Sequence, residues 1–390
     1  MPKIFIDKDK LSPSYIPDRL PHREAQLRTL LDLFDVESVR DIVYPKCVQV
    51  IGPTGSGKTS SCIKLGKLLE QRALRRGLNF KSIYVNLRLE GSSRFMAFKS
   101  MVEKVAFEAV SRSLSPDEVL KQFIETLKAR KLVALIVMDE VDFHVRRCKE
   151  TVVYDLTRLH ELTFGESTNV LGVVFIARDL DWIKLLDPAE RSTLGNIRVL
   201  FPPYSKSQVL DILEYRSSEA LVPGAVSHEV LDFISDIAVK PPRNGDVRFA
   251  LDLLLYSGVL AEEQGFDHIT IDHVRSVYGK TIESMSLSDF EELSLEEKLV
   301  LLLIAKTLSS TTAPYVDLSK VEESSTMLKD LKAKVDLQVN RAVRKLHDKG
   351  FIELSGEKVG ILVGPINKLI AVLEDVISRE ASKWTSIHSK

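Results

Sequence analysis

The chain has 390 residues, 44% of them hydrophobic and 28% charged, with a net charge of −1. That balance excludes a disordered or collagen-like chain and suits about two or three domains with cores large enough to need no staple. Cys47, Cys62 and Cys148 lie far apart with no C-x-x-C or metal spacing, which excludes a disulfide scaffold and leads us to expect an intracellular protein. The N-terminal MPKIFIDKDK lacks the apolar core of a signal peptide, and no apolar run has bilayer-spanning length.

The first predicted strand, Cys47–Ile51, runs into Gly52-Pro53-Thr54-Gly55-Ser56-Gly57-Lys58-Thr59, and a helical stretch from Ser60 follows. This fills the G-x-x-x-x-G-K-[ST] pattern without a mismatch, in the strand–loop–helix setting that the motif requires. Glycines let backbone approach phosphate oxygens, and the helix start turns free N–H groups and a positive dipole end toward them. Lys58 is expected to reach the β/γ-phosphates of ATP, and the Thr59 hydroxyl to ligate Mg²⁺. A Gly-rich turn without a ligand is the bland alternative.

Further strands are predicted at Ser82–Asn86, Leu132–Met138, Val170–Ile176 and Ile197–Phe201, alternating with helices at Phe95–Val110, Pro116–Arg130 and Glu150–Leu162. Alternation of this kind predicts an α/β domain, a parallel sheet covered by helices, over residues 1–203. Pro202-Pro203 closes it. Helices at Lys206–Ala220, His228–Val239, Asp246–Glu263 and Ile271–Glu283 predict an all-helical domain over 204–288, with Gly258 inside the third helix. Over 289–390, helices at Leu295–Leu308, Tyr315–Leu328 and Val335–Lys349 precede a hairpin, Phe351–Leu354 and Val359–Val363, turning at Ser355-Gly356. Three helices and a hairpin match a winged helix.

The apolar run from Leu132 ends in Asp139-Glu140. Such a strand delivers carboxylates to the sheet edge that faces the phosphate loop. Asp139 is expected to hold the Mg²⁺ shell and Glu140 to orient or deprotonate the attacking water. A surface Asp-Glu pair is the alternative. Arg248, opening a helix in Gly245-Asp246-Val247-Arg248, either reaches the γ-phosphate or pairs with Asp252 one turn on.

In the predicted helix from Val335, Leu337, Val339, Ala342, Val343 and Leu346 can face a core, while Arg341, Arg344 and Lys345 share an exposed face that Lys349 continues and Lys332 and Lys334 precede. Between Lys329 and Gly350 seven Lys/Arg stand against Asp330, Asp336 and Asp348. A near-neutral chain with this local excess sorts its charge by position, which fits duplex phosphates. Gln338 and Asn340 can reach base edges, and Lys358 near the hairpin turn an adjacent minor groove. A winged helix that binds protein is the alternative.

Taken together, the phosphate loop, the LIVMDE strand, the GDVR helix and the winged helix resemble the AAA+ ATPases. More narrowly, they resemble the archaeal replication initiators related to the origin recognition complex and cell division control protein six. Tyr15 to Glu24 is similar to that family's P-x-x-L-x-x-R-E lead-in, which packs beside the adenine. Asp139-Glu140-Val141-Asp142 resembles its D-E-x-D signature, and Gly245 to Leu254 its sensor-two helix. The stretch Phe201-Pro202-Pro203-Tyr204 with Arg216 resembles the approach to the lid, which implies a nucleotide-binding role for Tyr204 and Arg216. The likeness implies an ATP-binding initiator on double-stranded origin DNA in an archaeal cell. Its partners would be the replicative minichromosome maintenance helicase and a paralogous initiator, and the lid would close through Arg248. It also implies a second DNA contact near Arg94, Lys99 and Arg112.

Two positions depart from the family pattern. Arg178 stands where sensor one usually has Asn, and Ala189 where an arginine finger is usual, with Arg191 displaced by two. Both point to slow hydrolysis. They motivate a second expectation, a DNA-binding regulatory paralogue that restrains initiation; a third, apart from them, is a signalling ATPase whose winged helix contacts protein.

Overall fold

Apolar runs build the central strands, Val133–Asp139 and Val170–Ala177, which are buried on both faces. The computed structural model describes residues 4–34, 42–106, 110–148, 150–281, 290, 293–311, 313–325, 338–361 and 365–387. They fall into two units, one of residues 16–208 and 241–247, the other of the described parts of 1–15, 209–240 and 248–390.

The first unit runs α1 (Glu24–Leu33), β1 (Lys46–Ile51), α2 (Lys58–Arg75), β2 (Phe80–Asn86), α3 (Arg94–Ala106), α4 (Pro116–Ala129), β3 (Val133–Asp139), α5 (Val141–Arg147), α6 (Val152–Thr157), α7 (Leu159–Leu162), β4 (Val170–Ala177), α8 (Pro188–Leu194) and β5 (Arg198–Leu200). The strands form one parallel sheet in the order β2-β3-β4-β1-β5. Alternation along β3 sends Ala134, Ile136 and Met138 into a core with Phe98 and Phe123 of α3 and α4. Leu135 and Val137 enter the opposite core with Leu65 and Leu69 of α2 and Leu30 of α1. Each fully buried aliphatic side chain of this kind contributes about 1.5–3 kcal/mol, so the central strand cannot shift register without moving both cores. The predicted helix Glu150–Leu162 is broken at Arg158, which leaves helical geometry at φ −120°, ψ 25° between α6 and α7.

The second unit holds most of α9 (Lys206–Ala220), α10 (His228–Val239), most of α11 (Val247–Glu263) and α12 (Ile271–Thr281). It continues through α13 (Leu295–Ser309), β6 (Tyr315–Asp317), α14 (Leu318–Ser325), α15 (Val339–Asp348), β7 (Glu353–Ser355), β8 (Lys358–Gly360) and α16 (Ile366–Ile387). Gly258 sits in mid-α11 because a Cβ there would lie 2.4 Å from the Phe5 ring. That ring is itself buried. Packing thus overrides the weak helix propensity of glycine.

A capping box between Ser294 and Glu297 starts α13, and its leucines centre a separate core with Val343 and Leu346 of α15 and Leu373 of α16. Strands β6, β8 and β7 pair antiparallel. The predicted helix Tyr315–Leu328 is corrected here: Tyr315–Asp317 is a strand on β8, with Tyr315 opposite Gly360, and the helix begins at Leu318. Lys332, Lys334, Leu337 and Val363 lie outside the described residues. Arg275 Nε donates to Ile361 O at 2.8 Å and Lys240 Nζ to Glu353 at 2.8 Å, fastening α12 and the end of α10 to the hairpin. Among the described residues no helix is long and apolar enough to cross a membrane.

Candidate functional site

The chain leaves β1 at the C-terminal edge of the sheet, wraps through Gly52 to Gly57 and enters α2 at Lys58. Gly55 at φ 70° and Gly57 at φ 84° hold left-handed backbone that a side chain would strain. Pro53 and Thr54 belong to the loop and Ser60 to the first turn of α2, and Ser56 Oγ donates to Pro53 O at 2.8 Å. Lys58 is buried, with Nζ donating to Gly52 O at 2.6 Å and Pro53 O at 2.7 Å. Burial holds its ammonium below the usual lysine range, partly offset by Asp139, Glu140 and Asp142. A phosphate anion at this turn would supply the counter-charge that such a cation needs.

Thr59 Oγ1 donates to Asp139 Oδ2 at 2.7 Å, so the hydroxyl and carboxylate expected to hold Mg²⁺ share one place. The same oxygen accepts from Tyr84 OH at 2.8 Å, and Oδ1 accepts from Glu140 N at 2.8 Å. Tyr84 is not legible as a site residue in the sequence; burial and Asp139 push its phenol up. Hard oxygen donors from one hydroxyl and one carboxylate fit a Mg²⁺ that is otherwise held by nucleotide phosphates and water. Among the described residues no cluster of three His, Cys, Asp or Glu suited to a metal occurs.

Glu140 adopts left-handed backbone at φ 59° where β3 hands over to α5. Strain of that kind is retained when it places a side chain. Its Oε2 accepts from Arg178 NH2 at 2.9 Å. The residue that departs from the family pattern therefore holds the expected base directly. Asp142 is buried nearby with no hydrogen-bond partner for Oδ1 among the described residues, and burial, reinforced by Glu140, raises its carboxyl. Ala189 lies within α8, whose start is capped by Asp187 and Glu190. Arg191 folds back onto its own turn, donating to Leu186 O at 2.8 Å and Lys184 O at 2.7 Å.

Behind the loop lies Arg23, 2% exposed. Its Nε donates to Ser56 O at 2.8 Å, NH1 to His22 O at 3.0 Å and NH2 to Pro202 O at 2.6 Å. The guanidinium stacks 3.7 Å from the Tyr204 ring centre. Tyr204 OH lies 2.6 Å from where a Gly57 Cβ would be. Tyr204 thus lies beside Gly57 of the phosphate loop.

In the second unit Arg216 is buried, with Nε donating to Lys10 O at 2.7 Å, NH2 to Ser12 O at 3.3 Å, and the guanidinium 5.0 Å from the Tyr15 ring centre. Arg248 is exposed in the first turn of α11. On α15, Val339, Ala342, Val343 and Leu346 face the core, while Arg341 and Arg344 are exposed and Lys345 half-buried. Gln338 opens the helix, its N donating to Glu296 at 2.9 Å, and Asn340 Nδ2 donates to Glu322 at 2.9 Å. Lys358 is exposed at the start of β8. Lys349 turns away from the basic face onto buried Glu297 at 2.9 Å. Arg94 is no surface contact either: its fork pairs with Asp155 at 2.8 Å, Glu150 at 2.7 Å and Asp117 at 2.6 Å.

Residues 40–181 match the family model for an AAA domain, and residues 210–279 the model for a Cdc6 AAA+ ATPase-type lid domain. The chain is 33% identical over 310 residues to an ORC1-type DNA replication protein 1 of Sulfolobus acidocaldarius, covering 80% of this chain and 75% of that one. Its fold is similar to that of Cdc6p from Pyrobaculum aerophilum, with TM-score 0.80 at 28% identity, over 97% of this chain and 99% of that one. It is also similar to the ORC1 protein of Aeropyrum pernix, solved in complex with DNA, with TM-score 0.64 at 28% identity and 98% of both chains covered. The chain is thus a member of the ORC1/Cdc6-type family of AAA+ DNA replication initiators, an α/β nucleotide-binding domain followed by a helical lid and a winged helix.

Proposed function

We propose that this protein is an ATP-binding initiator that recognises double-stranded origin DNA and uses slow hydrolysis as a conformational switch. The observation that carries the switch is the Arg178–Glu140 contact at 2.9 Å. The group that would take the water's proton already holds a cation, and no arginine stands at position 189. Lys58 and the loop N–H groups would bind the phosphates, Thr59 and Asp139 would hold Mg²⁺, and a bound Mg²⁺ would neutralise developing charge on the phosphates. Arg248 would report the γ-phosphate from the lid, and Arg216 would be a further nucleotide-binding residue, as the family likeness implies. Domain boundaries near 203 and 288 belong to the same proposal, supported by the separate lid match and by the separate core around α13.

The exposed Arg341 and Arg344, with Lys345, Gln338, Asn340 and Lys358, would contact the duplex, and the DNA complex of the Aeropyrum relative supports that assignment. Recruitment of the replicative helicase, cooperation with a paralogous initiator and a cytoplasmic place on the archaeal nucleoid follow from the family likeness. Duplex affinity measured against salt tests the DNA part. Arg341→Ala should reduce the slope of log K against log salt by about one, whereas salt-independent binding would point to a protein-binding winged helix instead. A regulatory paralogue that restrains initiation is the second reading, favoured by the same Arg178–Glu140 contact; it predicts ATP binding with hydrolysis indistinguishable from that of Glu140→Gln.

A further inference from the structure

We propose that Arg23 is the positioning residue that sets the phosphate loop in its anion-binding form. This inference rests on reading Gly52 to Thr59 as a phosphate cradle. A trans peptide plane carries its C=O and the following N–H in opposite directions. Arg23 Nε holds the Ser56 carbonyl at 2.8 Å, so the Gly57 N–H of the same plane points away from Arg23 and is free to meet an anion in the turn. Gly57 at φ 84° has no side chain to steer that plane, which leaves the acceptor end as the place to hold it.

Arg23 is itself immobilised. It is 2% exposed, its NH1 and NH2 are taken by His22 O and Pro202 O, and it lies against the Tyr204 ring. Three segments therefore meet on one guanidinium: the stretch before α1, the phosphate loop and the stretch after β5. No carboxylate pairs with Arg23 among the described residues, and a planar fork reaching three carbonyls is geometry that lysine cannot reproduce.

The test compares ADP with AMP on the full-length protein. A peptide aimed at the β-phosphate matters for ADP and little for AMP, whereas general loosening of the fold would weaken both. Arg23→Met should raise the ADP dissociation constant about tenfold, Arg23→Lys at least about fivefold because it keeps charge but loses the fork, and AMP binding should change less than about twofold in either. Equal weakening for ADP and AMP, or unchanged ADP affinity, overturns the inference. If Arg23→Met does not yield folded protein, the Arg23→Lys comparison decides alone. Lys58→Ala serves as the separate control. If that variant keeps wild-type ADP affinity, the phosphate cradle itself is wrong; if it loses ADP while both Arg23 variants keep it, only the role of Arg23 fails.

Discussion

Replacing Arg178 by Asn removes the cation on Glu140 and restores an uncharged amide at the end of β4. The pair is 2.9 Å apart, with side chains 46% and 27% exposed, so solvent screens much of its Coulomb energy. Exposed ion pairs couple by about 0.2–1 kcal/mol, and hydrogen bonds to charged groups in drier sites contribute about 1.5–3 kcal/mol. A half-exposed pair falls between these, at about 1–1.4 kcal/mol. If Glu140 must shed Arg178 before accepting the proton of water, that energy adds to the barrier, and each 1.36 kcal/mol is tenfold in rate. Arg178→Asn should therefore speed single-turnover phosphate release by about five- to tenfold while leaving ATP affinity within about twofold. The assay uses enzyme in excess over labelled ATP, with Glu140→Gln as the baseline. A rate that stays constant shows that the contact is no impediment. A rate that falls shows that Arg178 stabilises the transition state, as a cis arginine would.

Two further outcomes follow from buried charge. Burial pushes the Glu297 carboxyl up, but hydrogen bonds from Lys349 and from the Ser294 cap outweigh it, leaving it below the usual value of 4.5. A carboxylate lowered on folding stabilises above the unfolded value and loses that contribution as pH falls through the lowered one. Protection of α13 amides, corrected for the intrinsic exchange rate, should therefore fall as pH drops below about 4.5, and Glu297→Gln should flatten that dependence. Arg94→Met strips the two bonds that hold Asp155, a carboxylate whose side chain is only 13% exposed. Leaving a buried charge unpaired costs about 3–5 kcal/mol, so urea unfolding should shift by an amount near the lower figure given the rim exposure of the other two carboxylates. The salt slope of DNA binding should not change, because this arginine faces inward.

Elements whose cause is local are legible in the sequence. The five strands, the phosphate loop and helices such as Lys206–Ala220 and His228–Val239 follow from residue periods and from Gly and Pro punctuation within a few positions. The helix Ile366–Ile387 lies beyond the last predicted element, although Ile366, Leu369, Ile370, Leu373 and Ile377 carry helical spacing. Tyr315–Asp317 is not legible in this way, because a three-residue strand exists only through pairing with β8 more than forty positions away.

The sequence alone located a G-x-x-x-x-G-K-T loop ending at Thr59, a strand ending in Asp139-Glu140, and Arg341, Arg344 and Lys345 on one side of a helix. Only the tertiary structure decided which charges are engaged and by what. It put Arg178 on Glu140, Arg94 on three carboxylates, Lys349 on Glu297 and Arg23 behind Ser56. The reason is physical. Periodicity is set by neighbours along the chain, whereas a long cationic side chain takes its role from acceptors that folding delivers from tens or hundreds of residues away.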